Sequence, residues 1–154
     1  MAQADNPVIA RNPTAGRDFT FLENFEAGIQ LTGPEVKSIR AKKVNLKDSF
    51  ARIEKGQAWL YGMDVSPYPQ AGGVRQESKR MRRLLLHRKQ IDRLELKVKE
   101  GGLTITAVKL YFKGSLIKVE LALAKGKQQF DKRETIKKRE LDREISRALR
   151  HRNK

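Results

Sequence analysis

The chain has 154 residues, with 34 Lys or Arg against 18 Asp or Glu and a formal net charge of +16. That length suits one domain with a modest core and excludes two large ones, and a pI near 10.4 selects polyanions as partners, RNA and DNA ahead of an anionic membrane surface. The absence of cysteine excludes disulfide scaffolds, cysteine nucleophiles and thiolate metal sites, and His87 and His151 alone make a poor zinc set.

Residues 1–16 carry Pro7, Pro13 and Gly16 with few apolar groups, which predicts a flexible N-terminal segment, frayed or loosely laid on the body. Order is expected from Phe19. Phe25, Ala27, Ile29 and Leu31 alternate with Glu26, Gly28, Gln30 and Thr32, the period of a half-buried strand that leaves Glu26 facing out. Gly33-Pro34 then opens a short helix, with Glu35 near its positive end, Lys42 and Lys43 near its negative end, and Val36 and Ile39 as its buried stripe. Leu46 to Glu54 and Ala58 to Val65 read as two strands joined at Lys55-Gly56-Gln57, with Trp59, Tyr61, Met63 and Val65 on one face. That face is either core or a platform on which bases stack; core is the commoner fate of such a face.

Ser66 to Arg83 holds Pro67, Pro69, Gly72 and Gly73, then Arg75, Lys79, Arg80, Arg82 and Arg83 against a lone Glu77. So long and basic a loop fits a phosphate contact that orders on binding, with a solvated linker as the alternative. A short buried run follows at Leu84 to Leu86. Ile91, Leu94 and Val98 then mark a helix ended by Gly101-Gly102. Leu103 to Phe112 and Leu116 to Ala124 form a second hairpin, in which Ile117, Val119, Leu121 and Leu123 alternate with Lys118 and Glu120. Several short strands with small helices and no strand-helix rhythm predict a mainly β fold: a small antiparallel, oligonucleotide-binding-like barrel with two or three short helices.

From Lys125 to Lys154 there are 12 Lys or Arg against 5 Asp or Glu, a local charge of +7. The tail has no Gly or Pro after Gly126, so one continuous helix is open to it. Asp131 and Glu134 resemble a capping box, Glu134 and Lys138 are a favourable pair, and Leu141, Ile145 and Leu149 make a thin apolar stripe. Such pairs contribute about 0.2–0.5 kcal/mol each, too little to hold an isolated helix. The tail is therefore expected to be coil when free and helical on a surface; the alternative is a terminal helix packed on its own barrel. The chain thus divides into 1–16, a barrel domain over 17–125 and a basic tail over 126–154.

No run of roughly 20 apolar residues could span a membrane, and the first residues lack a secretory signal's basic and apolar regions; a cytoplasmic location is expected. Carboxylates are scattered among lysines, and neither histidine has triad or metal spacing, so no catalytic residue, cofactor or metal is assigned. Glu26 is either an ordinary surface carboxylate or an acceptor for base amino groups. Lys42 and Lys43 suit phosphate contact or simple solvation equally.

Several stretches together, Asn24 to Ile29, Gly33 to Ala41, Leu46 to Phe50, Leu84 to His87 and Gly126 to Glu134, resemble the SsrA-binding protein family, in order from about Asn12 to the C-terminal end. The resemblance implies an adaptor that binds the tRNA-like domain of transfer-messenger RNA. It implies support for alanylation by alanyl-tRNA synthetase and delivery with elongation factor Tu, both through the RNA, and rescue of stalled bacterial ribosomes by trans-translation. By position it places Asn12, Glu26, Leu85 and His87 against the RNA. It places Gly126, Lys127, Asp131, Lys132 and Arg133 at the decoding region, followed by Lys137, Lys138 and Arg139 in a tail that turns helical in the empty message channel. Where the family has a basic run after Asn12, this chain keeps only Arg17, so a phosphate contact there is weakened or moved to the 75–83 loop. Position 87 is often Asn in the family, and Phe130 replaces another ring. The expected protein is a monomeric, non-enzymatic RNA-binding adaptor; the rival is a structural ribosomal protein with a basic extension.

Overall fold

Apolar alternation sets nine strands among the described residues: β1 (Val8–Arg11), β2 (Phe19–Ile29), β3 (Val44–Asn45), β4 (Phe50–Glu54), β5 (Gln57–Tyr61), β6 (Asp64–Val65), β7 (Arg82–Leu85), β8 (Thr104–Lys113) and β9 (Leu116–Gly126). Four helices accompany them: α1 (Ala15–Asp18), α2 (Gly33–Arg40), α3 (Arg88–Gly101) and α4 (Gln129–Arg152). This computed structural model describes residues 7–69, 77–127 and 129–152, with side chains in α4 described over 137–149.

The strands pair in the order β8-β4-β5-β7-β2-β9, and β9 returns to β8, so the sheet closes into an antiparallel barrel. Closure depends on β8. One edge of it bonds β9 along its whole length, while the other takes β4 at Ile105 and Thr106 and β1 at Lys109 to Tyr111. The register shift between Ala107 and Lys109 supplies the bend that such a handover needs. Inside lie Ile39, Leu46, Leu60, Met63, Leu110, Val119 and Leu121, each with no exposed surface. The inward Val119, Leu121 and Leu123 follow the period of two expected of β9.

Left-handed backbone matters at two points around β5. At β4–β5 both Lys55 (φ 52°) and Gly56 (φ 74°) have positive φ, the twist-matched geometry of a two-residue hairpin. Gly62 (φ 84°) breaks the next strand and changes the outcome there. Ala58 and Leu60 face the core, Trp59 and Tyr61 face out half-buried, and after Gly62 the chain returns inward at Met63 and Val65. The four residues expected on one face are therefore split. Leu46 to Ser49 likewise is a turn rather than strand, closed by the Ser49 hydroxyl and amide on the Leu46 carbonyl at 2.6 and 3.0 Å.

The N-terminal end also differs from expectation. Residues 8–16 belong to the body: β1 joins the sheet, Ile9 is buried, and Phe112 N donates to Pro7 O at 3.0 Å. Isolated prolines suggested a loose end, but an unpaired length of β8 recruits the segment as its edge partner. Residues 1–6 of that expected segment, and Arg75 of the basic loop, lie outside the described residues. Arg82 and Arg83, assigned by sequence to the loop, begin strand β7. The body carries three short helices, within the two or three expected, and the tail is helical over 129–152.

Arg82 shows what positions β7. It is 1% exposed, a buried cation that the interior tolerates only when it is paired and fully bonded. Its Nε donates to Glu35 Oε2 at 2.6 Å, Nη1 to the carbonyls of Met63 and Arg80, and Nη2 to that of Ser78. Glu35 also accepts from Arg80 and closes a capping box with Thr32, its Oε1 taking the Thr32 amide at 2.9 Å while its own amide reaches the Thr32 hydroxyl at 3.4 Å. Burial works to raise the Glu35 carboxyl, but Arg80, the Thr32 amide and Arg82 hold it below its ordinary 4.5.

Glu35→Gln is expected to lower the unfolding free energy by about 3 kcal/mol, the scale of removing one partner from a buried ion pair, as read from urea denaturation near neutral pH. Because the folded-state carboxyl titrates below 4.5, its contribution is complete above that value and is lost as pH falls through the lower folded pKa. The wild-type stability should therefore drop more steeply than the variant's in that acid range. Parallel curves would show that Glu35 does not supply the acid sensitivity.

Candidate nucleic-acid interface

β2 and β7 share only a short ladder, Gly28 with Leu85 and Ile29 with Leu84, while the opposite edge of β2 pairs with β9 from Phe19 to Gly28. Where they part, the β4–β5 turn and the start of α3 complete a groove of about 580 Å³ lined by Glu26, Gln57, Arg83, Leu85, His87 and Lys118, among others. Arg83, Leu85 and His87 are all exposed, Leu85 at 53%. Leu85 can stand there because Gly28 lies beneath it: a Cβ on Gly28 would come 3.1 Å from Leu85 Cβ. His87 caps α3, its amide donating to Gln90 Oε1 at 3.1 Å, so the groove meets the positive end of a helix of 14 residues. Arg88 Nη1 reaches back to Gly56 O at 2.9 Å and Nε pairs with Asp92 at 3.3 Å, which ties the turn to the helix and holds the groove wall.

Glu26 sits at the edge of this groove but is engaged. It accepts hydrogen bonds from the Tyr111 hydroxyl and from Lys113 Nζ, the latter at 3.0 Å. The Tyr111 bond, with Lys113 and Lys118 nearby, holds its carboxyl below the ordinary range despite some desolvation, while burial and the same carboxylate push the Tyr111 phenol up. Glu26 lies directly opposite Glu120 across β2–β9, and Lys109 approaches Glu120 at 3.8 Å. The two carboxylates thus hold two lysines, Lys113 and Lys109, and a tyrosine on the outer sheet. A groove with apolar relief from Leu85, cations on its rim and a helix terminus can take phosphate and an unpaired base together.

Of the residues singled out by sequence, the structure brings together Glu26, Arg83, Leu85 and His87. Arg82 is inside the barrel and offers no surface. Asn12 is 8% exposed, and its amide is used within the fold: Nδ2 donates to Ala107 O at 2.8 Å, and Oδ1 accepts from the Thr14 amide and hydroxyl. Arg17 is exposed and pairs with Asp18 at 3.1 Å. Lys42 and Lys43 are exposed beyond α2, as are Arg40 and Lys47 nearby in the chain, and none of them lines the groove. Lys42 holds φ 60°, the left-handed turn that ends the helix. Sequence reasoning missed Lys118, Lys113, Tyr111 and Arg88. Lys118 carried a signal, as an outward position on an alternating strand, but its neighbour Glu26 is 92 residues away in the chain.

The tail leaves from a fastened point. Gly126 pairs with Phe19, Lys127 N donates to Asp18 O at 2.9 Å, and Lys127 Nζ donates to Gly16 O at 3.0 Å. In α4, Lys137, Lys138 and Arg139 are exposed, and so is the stripe Leu141, Ile145 and Leu149 at 56%, 50% and 54%. The Arg139 guanidinium passes 3.9 Å from where a Cβ on Gly16 would lie. The side chains of Phe130, Asp131, Lys132 and Arg133 lie outside the described residues.

A closed antiparallel barrel with a basic, partly apolar groove and a cationic helical tail defines an RNA-binding barrel protein. The SmpB protein model matches residues 9–151, and the chain belongs to that family. An SsrA-binding protein of Carboxydothermus hydrogenoformans is 55% identical over 145 residues, 94% of this chain and 97% of the relative. One from Geobacillus kaustophilus is 49% identical over 154 residues, 100% of this chain and 99% of the relative. A solved chain described as tmRNA-SmpB, a journey to the center of the bacterial ribosome, has a TM-score of 0.65 at 41% identity, covering 82% of this chain and 92% of that one.

Gly28→Ala tests the groove without touching its charges. The new methyl must displace Leu85, so RNA affinity measured by filter binding is expected to fall several-fold, with a cost in stability of about 1–3 kcal/mol that leaves the barrel folded. Unchanged affinity would show that the position of Leu85 does not matter to binding.

Proposed function

We propose that this chain is a non-enzymatic adaptor that binds the tRNA-like domain of transfer-messenger RNA and brings it to stalled ribosomes for trans-translation. The observation that carries this is the convergence of Glu26, Arg83, Leu85 and His87 on one groove, in a chain whose relatives are SsrA-binding proteins. The barrel holds the folded RNA; alanyl-tRNA synthetase and elongation factor Tu act with the protein through that RNA. Lys42 and Lys43 add phosphate contacts outside the groove, and Arg17 adds one beside the tail's root. The protein works in the cytoplasm as a monomer and makes or breaks no bond itself.

The tail is the second functional unit, beginning at Gly126. Gly126, Lys127, Asp131, Lys132 and Arg133 meet the decoding region, and Lys137, Lys138 and Arg139 follow the message channel. Helix pairs contribute only tenths of a kcal/mol each, so the balance between coil and helix in α4 is open to a partner. Ribosomal RNA stabilises the helix where no message occupies the channel, which couples folding of the tail to the state of the ribosome.

Truncation after Gly126 is expected to leave affinity for transfer-messenger RNA within about twofold and to abolish tagging on stalled ribosomes, a factor well below one phosphate contact per residue lost. Collapse of RNA binding in that truncation would end the division into two units. In the full chain, Asp131→Ala, Lys132→Ala and Arg133→Ala together should spare RNA binding and block tagging. Normal tagging by this triple variant would remove the three residues from the decoding role. A preference for free ribosomal RNA over transfer-messenger RNA would favour a structural ribosomal protein instead.

A further inference from the structure

The outer face of β4, β5 and β7 carries a cluster that runs on from the groove and shares only Arg83 with it. Register sets Arg52 opposite Trp59 and Trp59 opposite Arg83, so a half-exposed indole stands between two exposed arginines. Beside this row, Phe50 and Tyr61 stack with ring centroids 5.5 Å apart at 11°. The Arg52 guanidinium lies 5.3 Å from the first ring and 5.8 Å from the second. Among the described residues neither Arg52 nor Arg83 pairs with a carboxylate. Arg83 also lines the groove, so strip and groove are one continuous surface.

Folding alone gives no reason for this arrangement. The core phase of β5 is filled by Ala58 and Leu60, and an outward Trp leaves apolar surface wet. Two unpaired guanidiniums on strands flanking that of the indole, each strand step about 4.8 Å, add repulsion. A ligand with a flat π face between negative groups turns each of these costs into a contact. An indole face stacks any base, and guanidiniums either side of it take the phosphates. A base inside a duplex has both faces covered by its neighbours, so the ligand must be unpaired.

We propose that Arg52, Trp59 and Arg83 form a stacking subsite for an unpaired nucleotide of the bound RNA, with the base on Trp59 and its flanking phosphates on the two arginines. This rests on the groove being the site of transfer-messenger RNA. The RNA path then continues from Leu85 across the barrel wall rather than ending at α3. Arg52 belongs to the strip alone, and the aromatic pair beneath it holds its guanidinium in place.

Trp59 is the sole tryptophan of the chain, so its emission reports on the subsite directly. Titration of the full chain with transfer-messenger RNA is expected to quench that emission. Arg52→Gln should weaken binding several-fold and lower the slope of log affinity against log salt by about 0.7, one single-strand phosphate contact. Trp59→Leu should weaken binding about tenfold. Arg52→Gln alters only an exposed side chain, so it keeps the test valid if Trp59→Leu fails to fold. RNA that binds with Trp59 emission unchanged, or an Arg52→Gln variant with wild-type affinity and slope, would overturn the subsite and leave the groove standing. Absence of RNA binding altogether would overturn the groove as well. Quenching by polyglutamate as strong as by RNA would overturn the nucleotide as ligand, because a carboxylate peptide would satisfy the arginines without stacking.

Discussion

The buried pair of Glu35 and Arg82 is the constraint on which the rest of the structure depends. A guanidinium inside a small barrel persists only because Glu35 and the carbonyls of Met63, Ser78 and Arg80 take its N–H groups. Those partners come from α2, from the end of β5's continuation and from the loop ahead of β7. One side chain therefore fastens three parts of the chain that have no ladder between them. It also sets the phase of β7. With Arg82 and Leu84 held inward, Arg83 and Leu85 must face out, and a slip of one residue would place Arg83 in the core and Leu85 with it.

The groove is a consequence of that phase together with the shortness of one ladder. One edge of β2 bonds β9 from Phe19 to Gly28, while the other meets β7 only at Gly28 and Ile29, its last two residues. The barrel wall opens where the ladders part. Into that opening the phase of β7 directs Arg83 and Leu85, and the chain then turns at His87 into α3, whose positive end faces the same space. Glu26 enters from the β2–β9 side already bound to Tyr111 and Lys113. Its effect on a ligand therefore runs through the lysine and tyrosine it holds.

The hairpins and the inward faces of β9 and α3 were legible in the sequence, because each is decided by residues close together: Lys55-Gly56 for a turn, Ile91, Leu94 and Val98 for a helix face, alternation from Val119 to Leu123 for a strand. The exterior of β5 was not. Gly62 reverses the chain's phase, and nothing in the spacing of Trp59, Tyr61, Met63 and Val65 shows that reversal. Asn12 and Arg82 illustrate the same gap for polar groups. Resemblance marks Asn12 and charge marks Arg82 as candidates for a ligand, yet each bonds backbone groups, Ala107 for one and Met63 for the other, at sequence distances that local pattern does not reach. Burial of β1 escaped for a related reason, since an edge strand is recruited by a vacancy on β8 that exists only once the barrel closes. Grouping of Glu26, Leu85 and His87 came from resemblance to a family, whereas Lys118 and the Arg52–Trp59–Arg83 row needed the register.

The tail brings a different kind of constraint. Its net charge would draw it to any polyanion, and charge at that density is screened within about 10 Å at moderate salt, so attraction alone cannot aim it. Aim comes from its root. Lys127 is bonded to α1 through both its amide and its ammonium, at Asp18 and Gly16, directly after the last ladder pair of β9 with β2. The helix therefore departs from a point fixed to the same strand, β2, that carries Glu26 and Gly28 into the groove. The groove and the tail's root therefore meet at one strand, which holds them at a set separation without a second domain.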